Sequence, residues 1–140
     1  MGKVAVNAEY EATADQVWIV LADFGGLGSW APGVESCELE GEGIGSVRSI
    51  GMPGGIVMKE RLDSLDEAGR TLSYAIIGGP LPVENYVATV TVSEADGGCR
   101  VDWGATFEEP EGIPADAIET AVGGAYSGML AGLKKHLGES

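Results

Sequence analysis

Two glutamates share the apolar face of predicted strands, and their carboxyl groups are the side chains best placed for chemistry. In the stretch 56–63, Glu60 lies on the same face as Met58 and other apolar residues, while most residues on the opposite face are charged. Glu35 shares a face with Cys37 in the same way. A carboxyl group in an apolar surface suits either general acid–base catalysis or the binding of a polar group on a ligand.

Arg48 is the basic residue expected beside these carboxyl groups. Its strand has no clear inner face, but a hairpin that turns at "MPGG" (52–55) would put Arg48 near Met58 and diagonal to Glu60. Two roles stay open. Arg48 and Glu60 form an internal salt bridge and nothing more, or Arg48 or Tyr86 stabilises an oxyanion that develops on a substrate.

Aromatic residues complete the candidate site. Alternation predicts that Tyr74 and Ile76 on one strand, Tyr86 on the next and Trp103 on the last share the inner face, with Tyr126 on a helix stripe. These residues line a ligand cavity or form a plain core, and both interpretations stay open. The sequence has no nucleophile–base pair, phosphate loop or metal cluster, so we expect no metal and no cofactor.

Composition limits the partners. The chain of 140 residues has 22 acidic and 8 basic residues, a formal charge of −14. Nucleic acid and anionic membranes both require a basic surface, so neither is an expected partner. Cys37 and Cys99 are too few for a disulfide framework. No run reaches the ~18 apolar residues of a membrane span, so we expect one cytoplasmic domain, residues 1–140, and leave a homodimer open.

The elements that must position these residues are read from periodicity. A strand over 3–12 precedes a helix that begins at "TADQ" (13–16), a capping box. A period of two then predicts six strands, at 34–41, 46–52, 56–65, 70–78, 86–95 and 99–108, and a long helix follows over 115–137. The order predicts an α+β fold in which a curved seven-stranded antiparallel sheet wraps around the long C-terminal helix and encloses a cavity.

The C-terminal helix carries four glycines, which is unusual for a helix interior. Each costs about 0.5–1 kcal/mol relative to alanine. Close packing against the sheet or room for a ligand would explain them, and the sequence does not separate the two. The residues concerned are Gly123, Gly124, Gly128 and Gly132.

The stretch "GMPGGIVMKERLDSLDEAGRTLSYAIIGGPLPVENYVATVTV" (51–92) resembles the plant abscisic acid receptors. Those receptors belong to the helix-grip superfamily, together with birch-pollen allergens, START lipid-binding domains and polyketide cyclase/dehydrases. The segments "ERLD", "IIGG" and "NY" match in register, and "VESCELE" and "EPEG" extend a weaker match over nearly the whole chain. The resemblance implies the helix-grip fold, in agreement with the periodicity.

In the receptors, the loop that matches "GMPGG" is a gate that closes on the hormone, and the loop that matches "GGPLPVENY" is a latch. The resemblance therefore implies a gate-like lid at Met52, Pro53 and Gly54. It implies a latch-like loop at Pro80, Leu81 and Pro82. Glu60 and Tyr86 match receptor positions that contact hormone through polar groups and water.

Three departures separate the chain from those receptors. Glu35 stands where the receptors have a lysine that pairs with the hormone carboxylate. Leu81 and Pro82 replace the histidine and arginine of the latch, and Trp103 replaces an acidic cavity residue. We therefore expect a bacterial-type cyclase-like or lipid-transport-like relative, not a functional abscisic acid receptor.

Three functions follow as hypotheses. The first is a carrier or sensor for a hydrophobic, partly polar small molecule, neutral or cationic, oriented by Glu35 and Glu60 and gated by the 51–55 loop. The alternative is a polyketide cyclase/dehydratase-like enzyme with Glu60 as general acid or base. The third, supported only by the resemblance, is an interaction module whose closed lid is recognised by a partner protein.

Overall fold

An antiparallel sheet and a long C-terminal helix dominate the structure, a computed structural model that describes residues 1–81 and 83–139. The elements run in the order β1 (Gly2–Tyr10), α1 (Ala14–Ala22), a 3-10 helix (Phe24–Ser29), β2 (Ser36–Glu40), β3 (Val47–Met52), β4 (Ile56–Asp66), β5 (Thr71–Gly78), β6 (Glu84–Ala95), β7 (Gly98–Glu108) and α2 (Ala115–His136).

The sheet has seven strands in the order β1-β7-β6-β5-β4-β3-β2, and every neighbouring pair is antiparallel. Strands β2 to β7 form a meander because short turns connect them, and β1 closes the far edge beside β7. The pairing of β4 with β5 shifts register twice, between Lys59 and Glu60 and between Leu62 and Ser64. Such bulges bend a strand. The predicted α+β helix-grip fold is confirmed.

The segment before β2 differs from the prediction. The capping box of Thr13 and Gln16 is present, and α1 begins there as expected. However, α1 ends at Ala22, and Phe24 opens a separate 3-10 helix that is not among the predicted elements. Phe24 and Leu27 of this 3-10 helix are buried, so this glycine-rich segment contributes to the core.

Helix α2 lies against the inner face of the sheet through one buried stripe. Tyr126 lies on this stripe as predicted, whereas Met129 is half-buried and lines the cavity side of the helix. The buried residues are Ile118, Val122, Tyr126, Leu130 and Leu133. In the part of the chain that the structure describes, no helix combines the length and apolar character needed to cross a membrane.

Candidate functional site

A cavity of about 440 Å³ lies between the sheet and α2. Strands β3 to β7 supply one wall and α2 supplies the other, while Leu81 and the segment after the 3-10 helix add to the rim. The structure brings together around it all of the predicted ligand-contacting residues except Glu35, namely Arg48, Met58, Glu60, Tyr74, Ile76, Tyr86, Trp103 and Tyr126.

Glu35 is the exception because the predicted strand, 34–41, begins two residues too early. Strand β2 starts at Ser36, and Cys37 pairs with Ile50, which lines the cavity. Val34 lines the cavity from the irregular segment before β2, whereas Glu35 is exposed. Its backbone N–H donates to the carbonyl of Gly51 at 2.8 Å, while its carboxyl group lies outside the cavity. The cavity therefore contains one acid instead of the predicted two.

Arg48 and Glu60 form a buried ion pair in the cavity wall. They are directly opposite in the β3–β4 register, so the predicted diagonal relation is corrected by two residues. The Arg48 Nε donates to Glu60 Oε1 at 2.8 Å, and Nη2 lies 2.6 Å from the same oxygen. Arg48 is 5% exposed and Glu60 is 8% exposed. Because burial of a lone charge is costly, this pairing is what allows both side chains to occupy the core.

Phe24 holds the Arg48 side chain from the other side. The guanidinium carbon lies 3.9 Å from the centre of the Phe24 ring, a cation–π distance. Arg48 Nη1 also donates to the Phe24 carbonyl at 3.2 Å. The 3-10 helix is thus tied to the sheet through one arginine, and sequence periodicity gave no indication of this contact.

Four aromatic side chains form a hydrogen-bonded group, here called the tyrosine cluster: Trp103, Tyr74, Tyr126 and Tyr86. The Trp103 indole N–H donates to the Tyr74 hydroxyl at 3.2 Å, and the Tyr74 hydroxyl donates to that of Tyr126 at 3.5 Å. The hydroxyl groups of Tyr86 and Tyr126 are also joined by a hydrogen bond. Burial raises the pKa of all three tyrosines, so the phenols remain protonated.

Three of the four glycines of α2 divide into two kinds, which the sequence did not separate, whereas a Cβ atom at Gly123 would make an ordinary contact with Val4 at 3.7 Å. Gly124 and Gly128 line the cavity, and a Cβ atom at either position would meet nothing within 4 Å. At Gly132, a Cβ atom would lie 2.5 Å from Pro32 Cδ and 3.2 Å from the Trp30 carbonyl oxygen. Close packing therefore explains Gly132, whereas the glycines at 124 and 128 leave room in the cavity.

The predicted gate loop is the tight turn between β3 and β4. Met52 is half-buried and lines the cavity, while Pro53 and Gly54 are exposed. Gly54 has a φ of +85° and Gly55 a φ of +77°, backbone conformations that favour glycine. The loop thus carries one apolar side chain at the cavity and a turn that protrudes into solvent.

The latch-like loop lies beside the gate loop. Leu81 is half-buried and lines the cavity, and Pro80 is exposed. Pro82 lies outside the described residues. Gly79 comes directly before this loop, and its backbone approaches β4 so closely that a Cβ atom would lie 2.7 Å from the Met58 sulfur. The two loops therefore meet the cavity at the same end of the sheet.

Sequence reasoning missed the part of the wall that comes from irregular chain. Leu27, Pro32 and Val34 contact the cavity from the 3-10 helix and the turns after it. Neither helical nor strand periodicity applies to that segment, so the sequence carried no signal for these contacts.

A sheet that holds a helix over an apolar cavity with a few convergent polar groups defines a helix-grip domain that binds a hydrophobic ligand. Residues 1–138 match the family described as polyketide cyclase / dehydrase and lipid transport. Because this match covers most of the chain, the protein belongs to that family.

Individual relatives agree with this assignment. The chain is 29% identical over 121 residues to MLP-like protein 423 of Arabidopsis thaliana, which is 77% of each sequence. It is 30% identical over 98 residues to abscisic acid receptor PYL6 of the same plant, covering 65% of this chain but only 45% of the receptor. The solved structure of the protein XoxI from Bacillus cereus superposes with a TM-score of 0.89 at 29% identity, over 96% of this chain and 94% of XoxI.

Proposed function

We propose that the domain, residues 1–140, binds a hydrophobic, partly polar small molecule in the cavity and acts as a carrier or sensor. The observation that carries the proposal is the cavity itself: about 440 Å³, walled mainly by apolar and aromatic side chains, with one ion pair and one hydroxyl cluster. Ligand sites have this composition, since apolar area supplies affinity and a few polar groups supply orientation. The family description includes lipid transport, which fits such a role.

Abscisic acid is a poor candidate for the ligand, even though one relative is named as its receptor. Of the described residues that line the cavity, Arg48 is the only basic one, and the carboxylate of Glu60 neutralises it. No unpaired cation is thus available in that lining for a carboxylate ligand. Leu81 at the latch-like loop supplies no charge either.

The alternative, a cyclase or dehydratase with Glu60 as general acid or base, is supported by the position of this carboxyl group in the cavity wall. Both Arg48 contacts engage Oε1, so only Oε2 is left to meet a substrate. A general acid or base must lie within hydrogen-bond reach of the proton that it transfers, and the ion pair with Arg48 holds this carboxyl group in the cavity wall. We therefore place catalysis second to binding.

The first test is whether the purified protein retains a small molecule. Native mass spectrometry is expected to show a mass excess that disappears when the same sample is denatured, since an apolar cavity of this size favours an apolar guest. A sample without an excess is then titrated with N-phenyl-1-naphthylamine, a neutral apolar fluorophore. If the protein neither retains a molecule nor binds this fluorophore, the proposed function is wrong.

The gate role of the 51–55 loop predicts that Met52→Asp weakens binding at least about tenfold, since the substitution puts a charge at an apolar rim. Affinity for N-phenyl-1-naphthylamine is the measurement. Ile44→Asp is the matched control, because Ile44 is 64% exposed and lies outside the cavity lining. Equal affinities for the two folded variants would contradict the role of Met52.

A further inference from the structure

The tyrosine cluster contains one more hydrogen than its contacts use. Its donors are one indole N–H and the O–H groups of Tyr74, Tyr126 and Tyr86. The contacts join Trp103 to Tyr74, Tyr74 to Tyr126 and Tyr126 to Tyr86, and each contact uses one hydrogen. One phenolic hydrogen is therefore left without an acceptor among the described residues.

A cooperative direction of the chain would place that hydrogen on Tyr86. An indole N–H can only donate, so the Tyr74 oxygen accepts from Trp103, and Tyr74 then donates to Tyr126. If Tyr126 donates in turn to Tyr86, each hydroxyl accepts before it donates, which is the arrangement in which hydrogen bonds strengthen one another. Tyr86 is 2% exposed and lines the cavity, so its hydrogen is shielded from bulk water.

The charge of the cavity adds a second restriction. Arg48 and Glu60 are the only charged residues in its described lining, and they neutralise each other. A charged ligand would lose its hydration without gaining an unpaired partner there. An uncharged ligand with a hydrogen-bond acceptor would satisfy the spare phenolic hydrogen at no such cost.

We propose that the cavity selects uncharged, largely apolar molecules that carry a carbonyl acceptor, such as a ketone or an ester, and that the Tyr86 hydroxyl donates to this carbonyl. This inference rests on the proposed binding function and names the ligand class of the same site. Tyr126 and Tyr74 act as positioning residues, because they orient the hydroxyl of Tyr86 and leave its hydrogen free.

A pair of matched probes tests the inference. The ketone 6-propionyl-2-(dimethylamino)naphthalene is compared with 2-(dimethylamino)-6-propylnaphthalene, which has a methylene group in place of the carbonyl. The ratio of their two affinities is measured by fluorescence titration in the wild type and in Tyr86→Phe. Loss of the donor is expected to lower the ketone-to-propyl affinity ratio about tenfold. The carbonyl stretch of the bound ketone is expected to shift to higher wavenumber in this variant.

Tyr10→Phe is the control, because the Tyr10 hydroxyl is also buried but donates to the Leu130 carbonyl at 2.7 Å and does not line the cavity. It is expected to leave the ratio unchanged. If both probes bind the wild type but Tyr86→Phe keeps the wild-type ratio, the role of Tyr86 is wrong and the binding function stands. If neither probe binds, the proposed ligand class is wrong, and the binding function is decided separately by the retained molecule and by N-phenyl-1-naphthylamine. If 6-(dimethylamino)-2-naphthoate, the carboxylate analogue, binds as tightly as the ketone, the preference for uncharged ligands is overturned.

Discussion

Replacing Arg48 with alanine is expected to lower the free energy of unfolding by about 3–5 kcal/mol, because the carboxylate of Glu60 is then left buried without its partner. Glu60 is 8% exposed, and Arg48 is its partner in the β3–β4 register. The substitution also removes the stacking on Phe24 and the hydrogen bond to the Phe24 carbonyl. The same substitution therefore also removes the Arg48 contacts that join strand β3 to the 3-10 helix.

Equilibrium urea unfolding followed by circular dichroism measures this loss. Arg61→Ala is the matched control, since Arg61 pairs with Asp63 at 2.7 Å on the outer face and its side chain is 47% exposed. That variant is expected to lose less than about 1 kcal/mol. The double variant Arg48→Met/Glu60→Leu removes both charges and is expected to recover most of the stability. A loss at Arg48 no larger than that at Arg61 would contradict the structural role of the buried pair.

The buried pair also explains how the cavity combines polarity with neutrality. An arginine beside a cavity would ordinarily attract anionic ligands, but here both donors that face Glu60 end on a single carboxylate oxygen. The stability of the domain and the charge of its cavity thus depend on the same two side chains. A variant that frees either charge is expected to change which ligands bind as well as how stable the domain is.

Regular strands were predictable because one face of each strand meets the core. The alternation in 56–63 correctly placed Met58 and Glu60 on the inner face, and the inner positions of Tyr74 and Trp103 were predicted in the same way. What alternation does not give is register. The turn at 53–55 places Arg48 opposite Glu60, and that offset depends on the turn conformation, not on side-chain pattern.

Irregular segments were not predictable on the same basis. Glu35 was expected on the apolar face because its sequence neighbours alternate, but the strand begins only at Ser36. The 3-10 helix at Phe24–Ser29 is rich in glycine, which predicts a break, yet tertiary burial of Phe24 and Leu27 stabilises it. Tertiary contacts decide the conformation of such segments, and a single sequence does not contain them.

The empty space beside helix α2 was not predictable from the sequence either. Gly124, Gly128 and Gly132 look equivalent in the sequence, because each one occupies an interior position of the predicted helix, where glycine is unfavourable. Their difference lies in what stands opposite: Pro32 at the last of them, and the open cavity at the other two. Only the three-dimensional arrangement distinguishes a glycine needed for close packing from one that leaves room for a ligand.

Gly128→Leu is expected to abolish ligand binding while making the protein more stable. A Cβ atom at this position meets nothing within 4 Å, and the position lines the cavity, so the leucine side chain extends into the space that a ligand would use. Replacing a glycine inside a helix by leucine favours the folded state by about 0.5–1 kcal/mol. Affinity for the neutral ketone probe is expected to fall at least about tenfold, since a filled cavity cannot enclose the naphthalene ring.

These opposite changes are what identify cavity filling, because a damaged fold would lower affinity and stability together. Gly132→Ala provides the contrasting case on the same helix. Its methyl group would lie 2.5 Å from Pro32 Cδ, so overpacking is expected to lower stability by about 1–3 kcal/mol. Position 132 does not line the cavity, so the folded fraction of that variant is expected to bind the probe as the wild type does. Wild-type affinity in the Gly128→Leu variant would instead place the ligand outside this cavity, since no folded arrangement lets the leucine and the probe occupy the same volume.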